Sequence, residues 1–308
     1  MKKTFALIFL SAVFVGMSTT ASALGFSTVI SDDKSKNTFT KCSWESDPHL
    51  NKVPLKGKPG KSDHVWIRPN GKEFVIDVSP TIGSISILYA GTTVMEGKTL
   101  QTTKGGMHFA SEANPRANAV LTAKKSTIGI RGNLSFDVWE KHKSMGGMKI
   151  NLEDSKMDIS GALSYNVPAW NAKFTRNCSG VTITLAGASY IKCKGEMLID
   201  SLLADSPDMH FRYILNEKDG KMPFVSTKGG SINACELHLN IKGKLRKGIY
   251  PLIESTGAKE YAGKFRAMTL NGKNISLNNT TSINGMDVVV KLGSADKRKA
   301  NDYVLEVK

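Results

Sequence analysis

Much of the usual catalytic vocabulary is missing from this chain. No GxSxG, P-loop or HExxH sequence occurs in its 308 residues, so acyl transfer, nucleotide chemistry and helix-borne zinc hydrolysis have no visible foothold. Aromatic residues are few, at 7%, and do not interleave with the basic ones, which argues against a nucleic-acid surface. A helical period is absent except over Glu196–Ala204 (EMLIDSLLA), read as a short helix ahead of the break at Ser206-Pro207-Asp208, with a strand over the apolar Met197–Leu203 almost as good a reading. Beyond the N-terminus no apolar run approaches the ~20 residues needed to cross a bilayer. No CxxC occurs, and the one close Cys–His spacing, Cys235 to His238, has no second pair to complete a zinc tetrahedron. The six histidines (His49, His64, His108, His142, His210 and His238) show no paired spacing. Each reads as a strand-surface or packed residue, and neither a metal nor a cofactor is expected.

What is there begins with an export signature. Lys2 and Lys3 precede the apolar Phe5–Met17, and Ala21-Ser22-Ala23 offers a small-residue cut before Leu24. Residues 1–23 are therefore expected to be a cleaved signal peptide, the alternative being a retained anchor. The mature chain is expected to be secreted, periplasmic or at the cell surface. Removing Lys2 and Lys3 takes the formal charge from +15 to +13. Such a basic exported protein suits an anionic polysaccharide or envelope glycan as partner, although solubility alone would also account for the charge. Four cysteines remain: Cys42, Cys178, Cys193 and Cys235. An even count in an oxidising compartment allows two disulfides in three connectivities. Cys178 and Cys193, close in sequence around Val181–Leu185, are the expected pair, worth roughly 3 kcal/mol by loop closure. Buried free thiols are the alternative.

The body of the chain reads as short strands punctuated by Gly, Pro and Asn turns. Bursts such as His64–Ile67, Ile82–Leu88, Thr127–Ile130, Met148–Leu152, Val181–Leu185 and Glu236–Ile241 alternate apolar with small or polar residues, the period of a strand with one buried face. Pro251 demotes Ile249–Ile253 to an edge or irregular position. Residues 24–60, polar and rich in Lys around Pro54, Pro59 and Gly57, read as an N-terminal cap or linker.

Two segments resemble bacterial secreted β-helix proteins, of the kind found in autotransporter passenger domains and related exported repeat proteins. One is GKSDHVWIRPNGKEFVIDVSPTIGSISILYAGTTV (Gly60–Val94); the other is GIYPLIESTGAKEYAGKFRAMTLNGKNISL followed by MDVVVKL (Gly248–Leu277 and Met286–Leu292). The resemblance implies an all-β, single-stranded right-handed parallel β-helix over residues 61–308, with an irregular closing region from about 248. It transfers no catalytic residue. The chain departs from autotransporters in having no barrel-like C-terminal segment, and no regular repeat period aligns. Two antiparallel β-sandwiches are the alternative fold.

These observations lead to a secreted, non-enzymatic protein acting at the cell surface or in the extracellular matrix, by adhesion or by binding anionic polysaccharide. The basic groups Lys141, Lys143, Lys242, Lys244, Arg246 and Lys247 are the candidate contacts, and Trp66, Trp139 and Trp170 a candidate sugar platform. The rival is a polysaccharide lyase or glycoside hydrolase on the same scaffold. It would draw on Asp154, Asp158, Asp200, Asp205 and Asp208 with Arg176, Arg212 or a lysine. A purely structural role is the third reading.

Overall fold

The computed structural model describes residues 25–29, 31–46, 53–68, 72–88, 90–111, 118–138, 147–166, 180–199, 209–216, 221–232, 235–257, 261–293 and 302–308. Within these, strands dominate, and the only helical element is a 3-10 turn at Lys34–Lys36. Ala119–Lys124, Met148–Glu153, Val181–Ala186 and Cys235–Ile241 bury every second side chain, because successive residues of a strand leave opposite faces.

Most pairing is parallel, and it forms two long sheets. The first ladder stacks Phe74–Ile76, Ala90–Val94, Ala119–Lys124, Met148–Glu153, Val181–Ala186, Met209–Leu215, Cys235–Ile241 and Ala267–Leu270. The larger sheet contains two more. The second ladder runs from Thr99 through Thr127–Ile130, Lys156–Ile159, Tyr190–Cys193 and Phe224–Thr227 to Gly248–Ser255. The third runs from Gly25–Val29 through His64–Ile67, Thr81–Leu88, the distal half of Thr99–Ser111, Leu134–Val138, Leu163–Asn166, Met197–Ile199 and Gly230–Ser231 to Tyr261–Ala262. The chain visits the ladders in a fixed order, so that Ala119–Lys124, Thr127–Ile130 and Leu134–Val138 are followed by Met148–Glu153 back beside the first.

The inward positions form rows along the stack. Leu121, Ile150, Ile183, Phe211 and Leu237 occupy matching register positions and are fully buried. Phe109 and Phe136 lie 5.3 Å apart in the third ladder. Each such side chain contributes about 1.5–3 kcal/mol when fully buried, and no single pass could bury its apolar face alone.

The corners carry their own rows. Between the first and second ladders, Ser126, Ser155 and Ser189 are buried. The amide of Ser126 donates to Ser155 Oγ (3.0 Å), and that of Ser155 to Ser189 Oγ (3.1 Å). These hydroxyls satisfy backbone donors that strand pairing leaves behind at the bend. Between the second and third ladders the corner is glycine. Gly161 N–H donates to Gly132 O and Gly195 N–H to Gly161 O, at 2.8 and 2.9 Å. A Cβ on Gly161 would lie 2.2 Å from Asn133 Oδ1 and 2.6 Å from Gly132 O, so close approach of backbones, rather than the torsion alone, demands glycine there.

Both ends depart from the parallel pattern. Part of the expected N-terminal cap joins the third ladder as Gly25–Val29, which also pairs antiparallel with Ser43–Glu45. From that strand Trp44 packs edge-on against Phe26, Phe39 and Phe74. At the other end Tyr303–Val307 lies antiparallel between Gly248–Ser255 and Met286–Leu292. The register shifts between Pro251 and Ile253, where proline has no N–H to give to a ladder.

Two expectations are corrected and the alternative fold is set aside. The helix expected over Glu196–Ala204 is instead a strand at Met197–Ile199, paired with Leu163–Asn166 and Gly230–Ser231, with residues 200–208 outside the described set. Its apolar residues serve an inward-facing β row. The disulfide expected between Cys178 and Cys193 is not formed. Cys193 is a buried free thiol in the inward row beside Ile130 and Ile159, and burial pushes it up to about 12. Cys178 lies outside the described residues. The antiparallel sandwiches are excluded by the parallel registers of all three ladders. Residues 1–23 are outside the described set.

Candidate functional site

A groove of about 790 Å³ runs along the outer side of the second ladder and its glycine corner. Its floor is an outward row in matching register: Gln101, Gly129, Asp158, Lys192 and Ser226. Its rim includes the residues that follow the strands: Arg131, Ser160, Lys194, Lys228 and Thr256. Gly129 deepens the floor, since a Cβ there would lie 2.2 Å from Gln101 Oε1.

The lining is cationic. Arg131, Lys192, Lys194 and Lys228 are all exposed, and among the described residues none of them forms an ion pair. Among the described residues Asp158 is the one carboxylate lining the groove, and the Tyr190 hydroxyl donates to its Oδ2 at 3.4 Å. Lys192 Nζ stands 4.6 Å from the Tyr190 ring centre, and Tyr190 stacks on Phe224 with centroids 5.7 Å apart. The aromatic pair holds the ammonium in place and presents a half-exposed apolar wall beside it. Adjacent passes are about 4.8 Å apart, a repeat comparable with the length of one sugar unit. The groove thus gathers cations from three of the stacked passes along one side of the ladder.

The residues nominated from the sequence scatter. Lys141 and Lys143 lie outside the described residues, as do Trp139 and Trp170. Lys242, Lys244, Arg246 and Lys247 are exposed on the connection after Cys235–Ile241, and none of them lines the groove. Leu245 between them is buried, and Lys242 lines a separate cleft of about 360 Å³ together with Glu153 and Asp154. Trp66 is half-exposed and meets the His64 ring edge-on, 4.1 Å between centroids. Of the nominated acids, Asp154 occupies a turn at φ 49° and accepts from Ala188 N–H. Asp158 is in the groove; Asp200, Asp205 and Asp208, with Arg176, lie outside the described residues.

Sequence reasoning missed Arg131, Lys194 and Lys228, which are 34 and more residues apart from one pass to a later one and share no motif. It also missed a second cluster, on the outer face of the first ladder, where His210, Glu236 and His238 converge. Met209–Leu215 and Cys235–Ile241 pair with His210 beside Glu236, and His238 faces Thr269 on the next strand. His210 Nδ1 is 3.0 Å from His238 Nε2 and 3.2 Å from Glu236 Oε2; His238 Nε2 is 3.3 Å from the same oxygen. The rings stack 5.2 Å apart. Arg266 donates to the other carboxylate oxygen, Oε1, and His238 Nδ1 lies 3.0 Å from Thr269 Oγ1. Burial, then the neighbouring His210 and Arg212, push the His238 imidazole below its ordinary range.

Among the described residues no helix is long and apolar enough to cross a membrane. Comparison with family models, with curated proteins and with solved structures gave no match to this chain.

Proposed function

We propose that this chain is an exported, non-enzymatic, single-stranded right-handed parallel β-helix, of the kind found in autotransporter passenger domains. It acts at the cell surface or in the matrix by binding anionic polysaccharide along its second ladder. The observation that carries the reading is the groove, where four cations that form no ion pair among the described residues gather with one described carboxylate, Lys192 resting on an aromatic pair. Three parallel ladders visited in constant order support the β-helix, and the right-handed sense follows the strong preference of parallel crossovers. The export signature at residues 1–23 supports the location.

Retention of the purified chain on alginate, polygalacturonate and heparin, with and without salt, tests the function. The expected result is binding that weakens steeply as ionic strength rises, with no new chain ends. Replacing Lys192, Lys194 and Lys228 together by Glu is expected to abolish retention while leaving the circular dichroism spectrum unchanged. Retention unaffected by the triple replacement would overturn the groove as the site. Release of unsaturated or reducing ends would favour the lyase or hydrolase reading instead.

A further inference from the structure

The cluster on the first ladder plays no part in the groove chemistry, and its geometry has a meaning of its own. Residues two apart on a strand share a face, and partners on the adjacent strand are about 4.8 Å away. His210, Glu236 and His238 therefore occupy three corners of one small outward patch. Their facing atoms make a nearly equilateral triangle, with sides of 3.0, 3.2 and 3.3 Å. An ion held at about 2.0–2.2 Å from nitrogen and oxygen donors sets those donors about 3.0–3.5 Å apart. The triangle has the dimensions of one face of a coordination shell.

The partners of the remaining atoms are also arranged for ligation. Arg266 occupies Glu236 Oε1 and leaves Oε2 to the centre of the triangle. Thr269 stands at His238 Nδ1, which directs the Nε2 lone pair the same way. Such outer partners fix the tautomer and orientation of metal ligands. Without a cation, two imidazole nitrogens 3.0 Å apart compete for a single carboxylate oxygen. The three side chains retain 17–25% of their surface, so water or a small anion can reach the open side.

We propose that His210 Nδ1, Glu236 Oε2 and His238 Nε2 form a three-ligand site for a divalent transition ion of the zinc class, with at least one coordination position open. Two imidazoles and one carboxylate suit a borderline ion such as Zn²⁺, whereas calcium calls for six or more oxygens. Arg266 and Arg212 add positive charge nearby, which favours an anion as the exogenous ligand.

The test uses the full chain purified without a polyhistidine tag and stripped of metal by chelation. Co²⁺ is added as a spectroscopic probe and then displaced by Zn²⁺. The expected result is one equivalent bound, with visible ligand-field bands that Zn²⁺ abolishes. His210→Ala, Glu236→Gln and His238→Ala should each lose the bands, and Thr269→Val should weaken binding about 10–100-fold. Zn²⁺ should also protect His210 and His238 of the unaltered chain from diethyl pyrocarbonate, a readout that needs no variant to fold. Absence of bands and of protection in the folded chain, or bands that persist in all three variants, would overturn the site.

Discussion

The first and second ladders share an interior and differ in everything they show to solvent. Inward, both are rows of Ile, Leu, Met, Val and Phe held by the same parallel register. Outward, the second ladder and its corner gather Lys and Arg around a groove, while the first brings two imidazoles and a carboxylate to one point. The scaffold thus fixes where side chains stand, about one strand spacing apart, without fixing what they do. On such a fold the outward chemistry is written in alternate residues, and the two ladders use the same grammar to present different side chains.

The widest gap should lie between the two faces of a single strand. Phe211→Ala, which empties a fully buried row, is expected to cost 3–5 kcal/mol. Its neighbour Arg212→Ala, exposed on the same strand, should stay within about 0.5 kcal/mol. Urea unfolding of the two variants measures the difference, and equal losses would contradict the alternation. Next come the two corners. Gly161→Ala forces a Cβ into backbone and should cost about 1–3 kcal/mol. Ser155→Ala leaves the Ser126 amide without its acceptor, for a comparable loss of about 1–3 kcal/mol. Thermal melting reads both.

A further effect concerns the buried thiol of the second ladder. Burial raises Cys193 from an ordinary 9.0 to about 12, so the thiolate is disfavoured in the folded chain. The stabilisation is complete below pH 9 and is lost as pH rises from there toward 12, at about 1 kcal/mol per pH unit. The unfolding free energies of the parent and Cys193→Val should therefore converge or cross above pH 9, the variant being less sensitive to alkali. Iodoacetamide mapping at pH 8 should leave Cys193 unlabelled until the chain unfolds. The smallest change concerns the groove alone: Asp158→Asn removes its one carboxylate and should raise affinity for an acidic polysaccharide a few-fold, about 1 kcal/mol or less, measured by calorimetry at low salt.

Much of the strand pattern was legible. Met148–Leu152, Val181–Leu185 and Glu236–Ile241 announce themselves through strict alternation, and the structure places strands over each. Met197–Ile199 stayed ambiguous between helix and strand, with the lean toward helix, because a three-residue strand is too short to separate period two from a helical turn. The repeat escaped notice because matching positions step by 29 residues from Ala119 to Met148, 33 to Val181, 28 to Met209 and 26 to Cys235. Connections of unequal length blur the period while the strands stay aligned. The serine corner was illegible for the same reason, since Ser126, Ser155 and Ser189 become one feature only after stacking.

The candidate sites were less legible still. Charge clusters along the chain, such as Lys242–Lys247, drew attention because they are contiguous, yet the groove is lined by cations from other segments. The residues that do meet are separated by whole passes: Arg131 from Lys194, and His210 from His238. The sequence alone determined that the chain forms short strands with one greasy face, punctuated by small residues, because alternation and turn chemistry act over a few neighbouring residues. Which strand lies beside which, and hence which cations share a groove and which imidazoles face one carboxylate, was decided only by tertiary structure. Register is a long-range choice, made by fitting inward rows together across loops of unequal length, and outward neighbours inherit it.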